Sequence, residues 1–220
     1  MKSVLVNHQP KTIFIHTDQN ELFGEFWNRL NKTNIKLLKA KKPESIFGKK
    51  ISKIQHAADI ARIRILMKFG GIYLDNDAVV IQKLDKFLKY EMTVAWPKGQ
   101  RHIEIQCLIA HRDARFLKLW YKSYENYNAS LWVFNSGVVP AQEIIKPNPA
   151  LVHLVSDEFM VQHDESKYLL YHKRIPEKEW RRKYYVFHLN KRWQTMQFNE
   201  QNIRTYNEGC FGDMARAVLP

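Results

Sequence analysis

The most pointed chemistry in this sequence sits in the segment GGIYLDNDAVV (residues 70–80), where Asp75 and Asp77 follow a short apolar run with no Lys or Arg between them. On an extended segment, side chains two apart point the same way, so both carboxylates would face one site. Two like charges held side by side are unfavourable unless a cation lies between them. Carboxylate oxygens suit Mn²⁺ or Mg²⁺, which keeps open positions for the phosphates of a nucleotide. An ordinary turn gives the same letters, because Asp and Asn are frequent in turns.

Three further groups are candidates. Asp59 and Arg62 lie one helical turn apart on a polar stripe with His56. They form either a local ion pair or a stripe that holds the hydroxyls of a sugar. His188 ends an aromatic-rich strand, with Trp193 five residues on; it is a packed structural histidine or, as a neutral imidazole, a further metal ligand. Phe134-Asn135-Ser136-Gly137 reads as a turn, and the Asn135 amide is a group able to steady a cationic sugar.

The elements that must position these residues follow from periodicity. Residues 11–16 read as a first strand and residues 35–38 as a second, with a lysine-rich loop after it. Residues 21–31 carry Leu22, Phe23, Phe26, Trp27 and Leu30 at helical spacing. A clearer helix runs over 51–69, with Ile51, Ile54, Ala58, Ala61 and Ile65 at steps of three and four, stopped by Gly70-Gly71. Ile72-Tyr73-Leu74 is then a buried strand that continues extended through Ala78 to Ile81. Residues 92–96, 106–110 and 184–189 are further strands, and 114–124 a helix with Phe116, Leu117, Trp120 and Tyr121 on its apolar side. Alternating strands and helices imply an α/β sheet with helices on both faces, whose ligands sit at the carboxyl ends of strands, where Asp75 and Asp77 fall.

The 220 residues fit one domain, 1–220, with no linker or repeat; the core motifs occupy residues 51–85. The formal charge is +13, concentrated in Lys32–Lys53 and in Arg174–Arg192. Such an excess attracts anions, but no nucleic-acid-binding motif accompanies it, so no nucleic-acid partner is expected. Cys107 and Cys210 permit one disulfide and no framework. No signal peptide or membrane span is visible. A cytoplasmic protein and a catalytic domain without its anchor are both compatible with that.

The stretch HAADIARIRILMKFGGIYLDNDAVVIQKLD (residues 56–85) strongly resembles the core of the DXD-containing sugar transferases, such as the α-1,4-galactosyltransferases and the initiating mannosyltransferases. Weaker likeness continues through ARFLKLWYKSYENYNASLW to YVFHLNKRW. The resemblance implies a GT-A fold, a Rossmann-like mixed sheet, and a metal-dependent, retaining transfer from a UDP-sugar to a glycan or glycolipid. By the same resemblance Asp77 binds the metal directly and Asp75 contacts ribose or sugar and assists it. Asp59 and Arg62 would hold the donor sugar, and His188 would be a further ligand. It also implies the Golgi lumen, with any membrane association through an anchor that this sequence does not carry.

Two rival readings differ in kind. One is a catalytically idle, basic relative that holds glycans. The other is a phosphatase of the haloacid dehalogenase type, whose Asp-x-Asp motif YLDNDAV fits in part. That fold places its motif near the start of the domain and adds a downstream Gly-Asp-x-x-x-Asp; Gly212-Asp213-Met-Ala-Arg-Ala has no second Asp.

Overall fold

The computed structural model describes residues 1–160, 164–189 and 197–219; Lys191, Arg192 and Trp193 lie outside the described residues. Strands β1 (Ile13–Thr17) and β2 (Ile35–Lys39) form a parallel pair with Ile13 opposite Ile35. The first strand is half-buried, with Phe14 exposed and stacked on Phe69. The helix expected over 21–31 shrinks to one turn, α1 (Glu25–Asn28). Phe23 and Phe26 stay exposed, so no buried apolar face sustains a longer helix. The lysine-rich stretch, expected as loop, contains a small hairpin of β3 (Ser45–Ile46) and β4 (Lys49–Lys50) that buries Ile46.

Helix α2 (Ile54–Phe69) is present, but the apolar period over Ile51, Ile54, Ala58, Ala61 and Ile65 does not mark its core face. Ile54 is 64% exposed, whereas Ala57, Ile60, Ile63 and Leu66 are buried together with His56, Asp59 and Arg62. Apolar residues lie all round this helix, so periodicity alone cannot select its buried side. Its end is set by Gly70, at φ 65°, whose N–H donates to the Leu66 carbonyl at 2.8 Å. A Cβ at Gly70 would lie 2.9 Å from the Arg112 backbone nitrogen, so glycine alone fits this close approach.

The chain then builds two sheets. Its elements, in order, are β5 (Gly71–Leu74), β6 (Ala78–Val80), β7 (Met92–Ala95), β8 (Glu104–Ala110), α3 (Arg115–Ser123) and β9 (His153–Val155). There follow β10 (Phe159–Met160), α4 (Asp164–Tyr171), α5 (Glu177–Lys183), β11 (Val186–His188), α6 (Asn202–Thr205) and α7 (Cys210–Arg216). One sheet has the order β5–β8–β7–β9, antiparallel except for β7 with β9. The other has the order β10–β11–β6, with β6 antiparallel to β11. The expected continuous run from Ile72 to Ile81 is therefore two strands in two different sheets. Leu74 and its neighbours are only partly buried, because β5 is an edge strand.

Side-chain alternation along β8 assigns the layers. Leu108 and Ala110 join Ile60, Ile63, Phe116 and Trp120 beneath α2 and α3. Cys107 and Ile109 join Val80, Phe87, Phe159 and Val186 between the sheets. Leu170, Trp180, Phe187 and Met214 seat α4, α5 and α7 against the second sheet. Trp120 and Trp180 are fully buried, and truncating either to Ala would cost about 3–5 kcal/mol. The result is a mixed α/β architecture consistent with a GT-A-like fold. Cys107 and Cys210 are buried free thiols in different clusters, so the permitted bridge is not formed. Among the described residues no helix is long and apolar enough to cross a membrane.

Candidate active site

The acidic pair occupies the crossing between the two sheets. Residues 75–78 form a turn, in which the Ala78 N–H donates to the Asp75 carbonyl at 3.1 Å. The Asp75 N–H donates to the Gln106 carbonyl on β8 at 2.9 Å, and the Asp77 carbonyl accepts from the Leu189 N–H, just past β11, at 2.9 Å. Each acid is thus anchored to a different sheet. The β6–β11 register sets His188 opposite Ala78, and the His188 Nε2 lies 3.0 Å from Asp77 Oδ1. One candidate ligand atom from each of Asp75, Asp77 and His188 falls within 4.8 Å of the others. The carboxylates do converge, but through a turn at a sheet-to-sheet crossing rather than through alternation along one strand.

This donor set fits a divalent cation. Two carboxylates bring the negative charge and hard oxygens that such an ion needs, and an imidazole completes a face while other positions stay open. The His188 ring stands directly against the Asp77 carboxylate.

Behind the pair lies a second, drier group. Arg62, with a side chain only 7% exposed, reaches Asp59 at 3.3 Å and Asp75 at 3.1 Å, and donates to the Ile105 carbonyl at 2.7 Å. Its guanidinium lies over the Tyr73 ring, and the Tyr73 hydroxyl donates to Asp75 Oδ1 at 2.7 Å. Asp59 and Arg62 are therefore no exposed helix pair, and surface ion-pair energies do not apply to them. Burial pushes the Asp59 carboxyl up to about 6, against the opposing pull of Arg62 and a hydrogen bond from Ser136. Burial also pushes the Tyr73 phenol up, so it stays a hydrogen-bond donor.

These residues line one cleft of about 320 Å³, a volume in the range of small-ligand sites. Asp59, Arg62, Asp75, Asp77 and His188 all contribute to its wall. The structure does not bring Asn135 to them. Its amide accepts from the Asn128 N–H at 2.9 Å and donates to the Asn128 carbonyl at 2.7 Å, which spends both ends on closing a loop. Its neighbour Ser136 lines the cleft instead. His56 also serves that loop, with Nδ1 2.7 Å from the Tyr127 hydroxyl and Nε2 3.3 Å from the Trp132 carbonyl. Gln106, Glu104 and Ser136 are cleft residues that spacing did not reveal, because they reach the site only through sheet pairing and loop packing. Asp213, the residue on which a phosphatase motif would turn, is clamped between Arg174 and Arg216 and takes no part in the cleft wall.

The profile of the family described as a glycosyltransferase sugar-binding region containing DXD motif matches residues 1–94. A relative named Glucan organizing enzyme 1, from Cryptococcus neoformans var. grubii, is 32% identical over 166 residues. Those residues cover 71% of this chain and 44% of that protein, so the chain spans less than half the length of the relative it matches. Asp75-Asn76-Asp77 is the acid-x-acid motif inside the matched region. With that motif at the head of the cleft, and with these two matches, the chain belongs to the DXD-motif glycosyltransferase family.

Proposed function

We propose that residues 1–220 form one catalytic domain that moves a sugar from a nucleotide-sugar, a UDP-sugar before others, to a glycan or glycolipid acceptor with retention at the anomeric carbon. The observation that carries this reading is the convergence of Asp75, Asp77 and His188 at a cleft that Asp59 and Arg62 also line. Asp77 and His188, with Asp75, would hold Mn²⁺ or Mg²⁺. When bound, that cation supplies charge stabilisation to the departing diphosphate.

The chain's own residues do the rest. Asp75 turns one carboxylate toward the cation site while Arg62 and Tyr73 fix its orientation. Arg62 spends its donors on Asp59, Asp75 and the Ile105 carbonyl, so it acts as a positioning residue between two carboxylates. Asp59, once ionised, accepts hydrogen bonds from hydroxyls of the donor sugar. Trp132 and Val133 form an exposed apolar lip on the same cleft, a surface suited to the face of an acceptor sugar. The name of the fungal relative suggests glucan as the first acceptor class to test. The family reading carries a Golgi lumen location with it.

The test is hydrolysis of a panel of UDP- and GDP-sugars, with Mn²⁺, with Mg²⁺ and with a chelator, since transferases slowly donate to water. Cation-dependent release of one sugar is the expected result. Salt-sensitive heparin binding without turnover of any donor would instead make the chain an idle glycan-binding relative.

A further inference from the structure

Among the described residues, five buried polar side-chain atoms lack a hydrogen-bond partner, and two of them, Gln106 Nε2 and His188 Nδ1, belong to residues that line the cleft. His188 meets Asp77 through its other nitrogen, Nε2, and is already a member of the candidate cation site. Gln106 has no such account. It is 3% exposed, on the β8 strand, and its carbonyl holds the Asp75 N–H, so it stands directly beside the first acid of the motif. A buried N–H without an acceptor costs about 1–3 kcal/mol, and native interiors rarely leave one. A methionine or leucine would fill the same space without that cost.

The chemistry of the wall says what would answer this donor. Asp59, Asp75, Asp77 and Glu104 line the cleft, and Arg62 is already shared between two of them. An uncharged amide in a carboxylate-rich wall suits a neutral oxygen. A hydroxyl can accept from the Gln106 amide and at the same time donate to a neighbouring carboxylate. A phosphate oxygen has no hydrogen to give and meets the carboxylates as a like charge.

We infer that Gln106 is a specificity-determining residue, whose amide nitrogen donates to one hydroxyl of the sugar carried by the nucleotide donor. The inference rests on the glycosyl-transfer reading above. A site built around such a donor discriminates strongly against an analogue lacking the hydroxyl, because the amide is then left unpaired again.

The experiment compares wild type with Gln106→Met, with Gln106→Leu as a second packing solution. Each is assayed with UDP-glucose, UDP-galactose and GDP-mannose, with the monodeoxy analogues of the sugar that wild type uses, and by calorimetric binding of free UDP and GDP. The variants should melt at or above the wild-type temperature and bind the free nucleotide unchanged. Their kcat/KM for the intact donor should fall about 10–100-fold, the range of one hydrogen bond to a buried group. Wild type should discriminate against one deoxy analogue, and the variants should lose that discrimination. Variants that keep kcat/KM within about threefold, or the same deoxy pattern, overturn the role of Gln106 while leaving glycosyl transfer intact. A wild-type protein that binds neither UDP nor GDP and turns over no donor overturns both.

Discussion

Two arginine–carboxylate groups in this molecule have opposite stoichiometry. In the cleft one arginine, Arg62, is shared by two carboxylates, Asp59 and Asp75. Near the end of the chain one carboxylate, Asp213, is shared by two arginines, with Arg174 at 2.9 Å and Arg216 at 2.6 Å. The electrostatic consequences are opposite too. Burial lifts Asp59 to about 6 because Arg62 cannot fully compensate two acids. Burial also acts on Asp213, but hydrogen bonds from Arg174 and Arg216 outweigh it and hold the carboxyl below its ordinary range. The second group is complete in itself: Arg216 also donates to the Tyr206 carbonyl at 2.7 Å, and the whole ties α7 to the segment before α5. The first group has negative charge left over, and Asp77 adds more at its mouth. A buried acid that disfavours its own ionisation, as Asp59 does, is poor stabilisation and good preparation for a cation.

Exchanging one acid in each group tests this contrast most sharply. Asp77→Asn should lower cation-dependent turnover by at least about 100-fold, since changes merely behind a metal ligand already cost 10–100-fold. Its melting temperature should stay close to wild type. Asp213→Asn should do the reverse, melting roughly 3–8 °C lower through the loss of charged hydrogen bonds while the folded protein keeps its turnover. Cation titration of turnover, beside calorimetric melting, reads both; a variant that moves the other quantity breaks the contrast. Arg62→Ala lies between, because it strands the buried Asp59 and the partly exposed Asp75. It should cost about 3–5 kcal/mol of stability as well as activity, unless bound Mn²⁺ restores part of the stability. His188→Ala should raise the half-saturating Mn²⁺ concentration about 10–100-fold, with little further effect at saturating metal. Unshifted metal curves would return it to a packed strand end.

What could be read from the sequence was what is local. The glycine pair after α2, the acid pair and the Asp59–Arg62 spacing all lie within about one helix and one strand of each other. Their order alone marks them. The buried side of α2 was not legible, because Ile54 and Ile65 are as apolar as Ile60 and Ile63, and only packing against α3 and the sheet decides between them. Nor was the cause of the carboxylates' convergence, since it depends on β8 holding Asp75 and on the end of β11 holding Asp77, strands that arrive about thirty and a hundred residues later. The Asn135 amide misled for the same reason: its composition suggests chemistry, and its partner Asn128 is visible only once the loop is folded. Gln106 carries no motif at all; its unpaired nitrogen is a property of the packed sheet.

The pH dependence of stability separates the two groups by sign. Asp59 has an ordinary value of 3.8 and is pushed up to about 6 in the fold. Between those values the native state holds a proton that the unfolded chain has released, so stability falls as pH rises through the window. The cost of ionising Asp59 is fully present above about pH 6 and absent below about pH 4. Asp59→Asn removes it, so the variant should gain on wild type by up to about 2–3 kcal/mol between pH 4 and pH 7. Asp213 runs the other way: its carboxyl is held below 3.8, so its contribution is present above that value and lost as pH falls further. The deficit of Asp213→Asn should therefore be constant from pH 5 to 7 and shrink only below about pH 4. Denaturant unfolding of the three proteins with a chelator present, at intervals from pH 3 to 7, measures both curves. A flat Asp59→Asn difference across pH 4–7 would mean that Arg62 compensates both acids after all. The cleft would then hold no surplus charge of its own, and the attraction for a cation would rest on Asp77 alone.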